Sequence, residues 1–156
     1  MALINPTGPV AFQPVTGEIN RTTFGTNSAD HFINLAWGDL VFGNNGSDVF
    51  DFTSNIGKLG LGKIARVYGD CGVNPGTPVS PGASSEDRGA DFCNGAAGVW
   101  FTPGNGADTF IFHGRGDTNN PAVFFGFDRT EGDKIGLDHD QGITVSHINW
   151  IAGTEG

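Results

Sequence analysis

The chain has 156 residues, among them 26 Gly, 13 Asp but only 4 Glu, and 8 Lys plus Arg, for a formal charge of -9. Glycine at roughly 17 %, more than twice the usual ~7 %, argues against a helical bundle, because Gly costs about 1 kcal/mol against Ala inside a helix and strong helix formers are scarce. The acidic balance leaves no basic patch to release counterions from phosphates, so nucleic acid is not expected as a partner, and with no run of about 18 apolar residues no membrane insertion is expected.

The first segment, residues 1–23, is punctuated by prolines and carries Leu3, Ile4, Val10, Phe12 and Val15. Such a stretch does not bury itself as a helix. It is expected to run extended, as a cap on its own domain or as a donor strand along the sheet edge of a neighbouring copy. Met1 to Val10 holds no Lys or Arg and is broken by Pro6 and Pro9, which is not the pattern of a usual secretory signal peptide.

From residue 24 a period emerges. Asp30, Asp39 and Asp48 are nine residues apart, and two residues after each stands an apolar side chain: Phe32, Val41 and Phe50. A period of nine fits neither a helix nor a hairpin meander, but it does fit one tight Gly-rich turn followed by one very short strand. The clearest copies are Gly43-Asn44-Asn45-Gly46-Ser47-Asp48-Val49-Phe50 and Gly104-Asn105-Gly106-Ala107-Asp108-Thr109-Phe110. Gly and Asn tolerate the left-handed backbone of a tight turn, alternate residues of the strand turn inward, and the carboxylate meets the carbonyls bared by the turn. Oxygen ligands without an ammonium group suit calcium. The alternative is a set of Asp side chains that merely cap turns.

Between Thr53 and Thr102 the period lapses. The span is rich in Gly, Pro and Ser and holds Cys71 and Cys93. It is expected to form a loop insertion over about 53–102 tied by a Cys71–Cys93 disulfide, which would add about 3 kcal/mol through loop closure. Lys63 to Tyr68 and Gly98 to Phe101 are candidate strands within it. His31, His113, His139 and His147 lack HExxH spacing, and no GxSxG elbow or Walker loop is present. Asp138-His139-Asp140 reads as a polar turn, since successive strand residues face opposite ways. In Arg115-Gly116-Asp117 the Asp lies nine residues after Asp108, which favours the repeat over an adhesion tripeptide. The 13 Phe and Trp37, Trp100 and Trp150 are expected chiefly in the core.

The nonapeptides resemble the G-G-x-G-x-D-x-U-x repeat of the repeats-in-toxin family, over about Phe24 to Phe52 and Pro103 to Leu137. Phe125 to Leu137 is also similar to the end of the calcium-binding roll in serralysin C-terminal domains. The resemblance implies an all-β fold, a right-handed parallel β-roll or β-solenoid over residues 24–156, with Ca2+ between turns one full coil apart. It implies ligands from Gly25, Asn27 and Asp30, from Gly43, Asn45 and Asp48, and from Asn105 and Asp108. Thr26 and Ser28 stand where the repeat has glycines, the unit around Asp39 keeps little beyond Asp39 and Val41, and Pro103 replaces a leading Gly, so one or two ions are expected.

The same resemblance implies export by a one-step (type I) channel and folding on calcium outside the cell or at its surface. A catalytic domain finds little room in a chain of this length, so an enzyme is not expected. The reading is a structural subunit of an extracellular filament, matrix or surface layer that forms homo-oligomers or polymers. The alternatives are the export and stabilisation module of a secreted enzyme, and an adhesin that contacts a cell surface or polysaccharide.

Overall fold

A computed structural model describes residues 1–7, 21–54, 64–70, 89–113 and 121–138. Eleven short strands lie among them: β1 (Ala2–Ile4), β2 (Thr22–Phe24), β3 (Asp30–Phe32), β4 (Leu40–Phe42), β5 (Val49–Asp51), β6 (Ala65–Tyr68), β7 (Phe92–Gly95), β8 (Val99–Thr102), β9 (Thr109–Phe112), β10 (Val123–Phe124) and β11 (Lys134–Leu137). Consecutive strands alternate between two sheets. One sheet runs β1-β3-β5-β7-β9-β11, the other β10-β8-β6-β4-β2, and every neighbouring pair is parallel. The described residues contain no α-helix, and no helix is long and apolar enough to cross a membrane.

The strands are short because each must end where the next Gly-rich turn sends the chain to the other sheet. Asn44 (φ 70°) and Gly46 (φ 122°) supply left-handed backbone in the turn before β5. At Gly46 a Cβ would come within 2.6 Å of the Ala29 nitrogen, so the turn stacks on its neighbour only without a side chain.

Period-two alternation then sorts the side chains. Ile4, Phe32, Phe50, Cys93, Phe110 and Ile135 occupy one register across the first sheet, and Val41, Val67, Phe101 and Phe124 one register across the second. Most of these form a single core cluster with Leu35, Phe52, Ala65 and Val99. Phe32 and Phe50 stack at 5.0 Å between centroids, and Phe101 bridges to Phe50 and Phe110 at 6.0 Å each. On the second sheet Phe24, Phe42 and Tyr68 form a ladder of stacked rings at 5.3 Å spacing. Trp37 is buried and donates Nε1–H to the Ala97 carbonyl at 2.8 Å. Trp150 lies outside the described residues.

Two sequence expectations change. Cys93 is a free, fully buried thiol, not half of a disulfide with Cys71. It sits on β7 between Phe50 and Phe110 in the inward register, where it acts as a small apolar side chain, and burial pushes its thiol well above the ordinary value. Cys71 itself lies outside the described residues. The span 53–102 is not one continuous excursion either, because β6, β7 and β8 fall within it and pair with β4, β5, β9 and β10. The N-terminal residues Ala2–Ile4 pair with β3 of their own chain, and residues 8–20 of the same segment lie outside the described residues.

Two outcomes follow from this core. Phe50→Ala should lower unfolding free energy by about 3–5 kcal/mol in denaturant titration, and a loss below about 1 kcal/mol would contradict the packing. Reductant should leave the melting temperature unchanged, with Cys93 reacting with a thiol reagent only on unfolding; rapid labelling of the folded chain would show the thiol accessible.

Candidate metal centre

Turns that carry the chain from the second sheet to the first lie along one edge of the molecule, here the first edge; the return turns form the second edge. On the first edge every described turn ends in an aspartate at the start of a first-sheet strand: Asp30, Asp48, Asp91, Asp108 and Asp133. None of the five is more than 6 % exposed. They form a chain of hydrogen bonds from coil to coil. The Asp30 N–H donates to Asp48 Oδ1 at 2.8 Å, Asp48 N–H to Asp91 Oδ1 at 2.8 Å, Asp91 N–H to Asp108 Oδ1 at 2.8 Å, and Asp108 N–H to Asp133 Oδ1 at 2.9 Å. Asp133 closes the series by accepting Asp128 N–H on Oδ2 at 2.7 Å.

The ladder uses one oxygen of each carboxylate, and the fate of the other defines the site. Oδ2 of Asp91 and Oδ2 of Asp108 are buried and accept no hydrogen bond. At Asp30 the roles reverse: Oδ2 accepts from Thr26 N–H at 2.5 Å and Thr26 Oγ1 at 2.9 Å, while Oδ1 accepts none. Thr26, standing where the repeat has a glycine, therefore supplies Asp30 Oδ2 with donors that Oδ2 of Asp91 and Oδ2 of Asp108 lack.

Glycine makes room for these oxygens. A Cβ on Gly25 would lie 2.2 Å from the Gly43 carbonyl oxygen and 2.9 Å from Asp30 Oδ2; one on Gly43 would lie 2.3 Å from Asp48 Oδ2 and 2.7 Å from the Gly69 oxygen; one on Gly69 would overlap Asp91 Oδ2 and lie 2.5 Å from the Pro103 oxygen. Three successive levels thus repeat one arrangement, a carboxylate oxygen and the next coil's carbonyl oxygen converging beside a glycine Cα. Among the described residues, no group of three or more His, Cys, Asp or Glu side chains gathers round a single point. An ion here would depend mainly on backbone carbonyls, a donor set that suits a hard cation such as calcium and not a transition metal.

Of the ligands expected from sequence, Gly25, Gly43, Asp30, Asp48 and Asp108 all fall on this edge. Asn27 is exposed, and Asn45 and Asn105 are partly buried turn residues; the Asn105 N–H donates to Asp70 Oδ2 at 3.0 Å. The buried amide of the first strong repeat is Asn44, whose Nδ2 donates to the Gly25 carbonyl at 2.8 Å. Sequence reasoning passed over Asp91, because 43 residues separate it from Asp48. Gly69 and Asp91 meet on this edge although residues 70–90 separate them in sequence, so the repeat unit is split. Its local signal remains, since Asp91-Phe92-Cys93 and Asp133-Lys134-Ile135 keep the carboxylate two residues before an inward side chain as in Asp48-Val49-Phe50. Asp39 belongs to the second edge, where Arg21 pairs with it at 2.6 Å. Asp138 accepts from His113 Nδ1 at 2.9 Å. Arg115, Asp117, His139, Asp140 and His147 lie outside the described residues.

Burial is the dominant electrostatic fact. It pushes Asp91 well above the ordinary carboxylate value, with the charges of Asp70, Asp48 and Asp108 adding to the effect against the hydrogen bond from Asp48. It raises Asp108 from 3.8 to about 7, with Asp133 and Glu131 contributing, and it raises Asp133. Asp128, exposed and held by Thr130, is shifted down. Among the described residues no Lys or Arg forms an ion pair with Asp30, Asp91, Asp108 or Asp133.

The folded chain without metal therefore holds protons that the unfolded chain releases. Asp108 keeps its proton up to about pH 7 when folded and loses it near 3.8 when unfolded, so folding takes up a proton in that window and metal-free stability falls as pH rises through it. In chelator, the melting temperature should be higher near pH ~5 than near pH ~8; the reverse order would contradict the buried ladder. Comparison with known proteins gives no relative: no family model, no curated protein and no solved structure matches this chain.

Proposed function

We propose that the chain is a calcium-binding parallel β-roll that folds after export and serves as a structural subunit of an extracellular filament, matrix or surface layer. The observation that carries the calcium reading is the first-edge column: buried carboxylates, of which Asp30, Asp48 and Asp91 each bring an oxygen beside the next turn's carbonyl, and, among the described residues, no basic side chain paired with Asp30, Asp91 or Asp108. Asp48 with the Gly69 carbonyl, Asp91 with the Pro103 carbonyl, and Oδ2 of Asp108 would hold the ions; Asp30, beside the Gly43 carbonyl, contributes less because Thr26 already serves it. Bound calcium supplies positive charge where protonation otherwise neutralises the column, so calcium and protons compete for the same oxygens.

This competition gives the export reading a physical basis. Where calcium is scarce the carboxylates oppose stacking of the coils. At millimolar calcium, above the ~10⁻⁴ to 10⁻³ M dissociation constants of extracellular modules, each filled site adds about 1 kcal/mol to stability. The structural role rests on the repeated strands that alternate between two parallel sheets and on the resemblance to a family of secreted proteins. The roles of enzyme module and surface adhesin remain outcomes of the tests.

Calorimetric titration of calcium into the chelated protein should give saturable binding, and saturation should raise the melting temperature by roughly 5–10 °C. Asp91→Asn removes a buried charge while keeping the shape. It should melt higher than the native chain in chelator at neutral pH and gain less from calcium. Absence of saturable heat would refute the calcium reading. Polymers seen by size exclusion and negative stain with calcium, and lost in chelator, are the result expected of a structural subunit; a monomer under both conditions would refute that role.

A further inference from the structure

The second edge neutralises its buried carboxylate differently. Asp39 stands at the turn before β4 as Asp48 stands before β5, with the same inward apolar residue two positions on, and its side chain is 0 % exposed. Its oxygens are held by Arg21, Nε to Oδ1 at 3.0 Å and Nη2 to Oδ2 at 2.6 Å, and by the Ala36 N–H to Oδ2 at 2.8 Å. The guanidinium also donates to the Asn34 carbonyl at 2.9 Å and reaches the Pro6 carbonyl at 3.5 Å. Asn34 adopts a left-handed φ of 57°, which helps aim its carbonyl inward. The Arg21 side chain is itself only 6 % exposed.

One cation, carried by the lead into β2, thus gathers a bidentate carboxylate and two backbone carbonyls from two other segments, the N-terminal residues and the turn between β3 and β4. That is a set of hard oxygens of the kind a divalent ion takes, filled by a planar fork that cannot dissociate from the chain or lose its proton. We infer that Arg21 is a resident cation that makes the second edge of the first coils independent of metal, and that any calcium response is confined to the first edge. The backbone ladder runs through the same place, because Leu40 N–H donates to the Arg21 carbonyl at 2.8 Å and Arg66 N–H to the Asp39 carbonyl at 2.9 Å. The clamp therefore keeps β2, β4 and β6 in register while the opposite edge awaits its ions, and gives calcium-driven folding a preformed template. The contrast between edges rests on the calcium reading; the clamp itself does not.

Hydrogen exchange of the full chain, resolved to individual amides, separates the two ideas. In chelator at neutral pH the second-edge amides of Ala36, Asp39 and Leu40 should exchange at least ~10-fold more slowly than the first-edge amides of Asp30, Asp48 and Asp91. Arg21→Gln should abolish that difference, while Arg21→Lys should retain part of it. Equal rates at both edges in the native chain would overturn the inference even if the variant fails to fold, and so would a second edge unaffected by Arg21→Gln. Protection of the second edge together with a first edge indifferent to added calcium would uphold the clamp and refute the calcium reading.

Discussion

The structure depends on stacking carboxylates out of water. Parallel pairing brings successive coils to ~4.8 Å, and two unit charges that close repel by about 3 kcal/mol even at an effective dielectric of ~20. The first edge stacks five aspartates largely removed from solvent, and four of them, Asp30, Asp48, Asp91 and Asp108, donate their own N–H to the next carboxylate. Hydrogen bonds satisfy one oxygen of Asp30, Asp91 and Asp108 and leave the charge unbalanced. Three remedies exist: a proton, a metal ion or a side-chain cation.

The two edges of the molecule use different remedies. On the first edge, burial drives Asp91, Asp108 and Asp133 toward the protonated form when nothing else is present, which couples the fold to acidity and, in the proposed reading, to calcium. On the second edge, a guanidinium is covalently in place against Asp39. The core does not discriminate between these conditions. Phe32, Phe50, Val41, Val67 and Phe101 pack between the sheets as one apolar cluster that carries no charge of its own.

Much of this was legible in the chain. The nine-residue spacing of Asp30, Asp39 and Asp48 marks one turn and one strand per unit, and the structure indeed alternates such strands between two sheets. Asp91 was hidden because residues 71–88 interrupt its turn, and a period cannot be seen through an interruption even though Gly89-Ala90-Asp91-Phe92-Cys93 keeps the local pattern. The same interruption made Cys93 read as loop, whereas its neighbours in the sheet are Phe50 and Phe110. Arg21 was hidden for another reason: it lies 18 residues before Asp39, and only a full coil of chain brings them together. β1 was foreseen as extended but not its partner, since three residues carry too little pattern to choose between their own sheet and a neighbour's.

The most direct test is a crystal structure of the protein grown in calcium, with anomalous difference density calculated along the first edge. Cations bound between coils, ligated by Oδ2 of Asp91 and Oδ2 of Asp108, are the result the account predicts. A column holding only water, or carboxyls hydrogen-bonded to one another without an ion at saturating calcium, would contradict it.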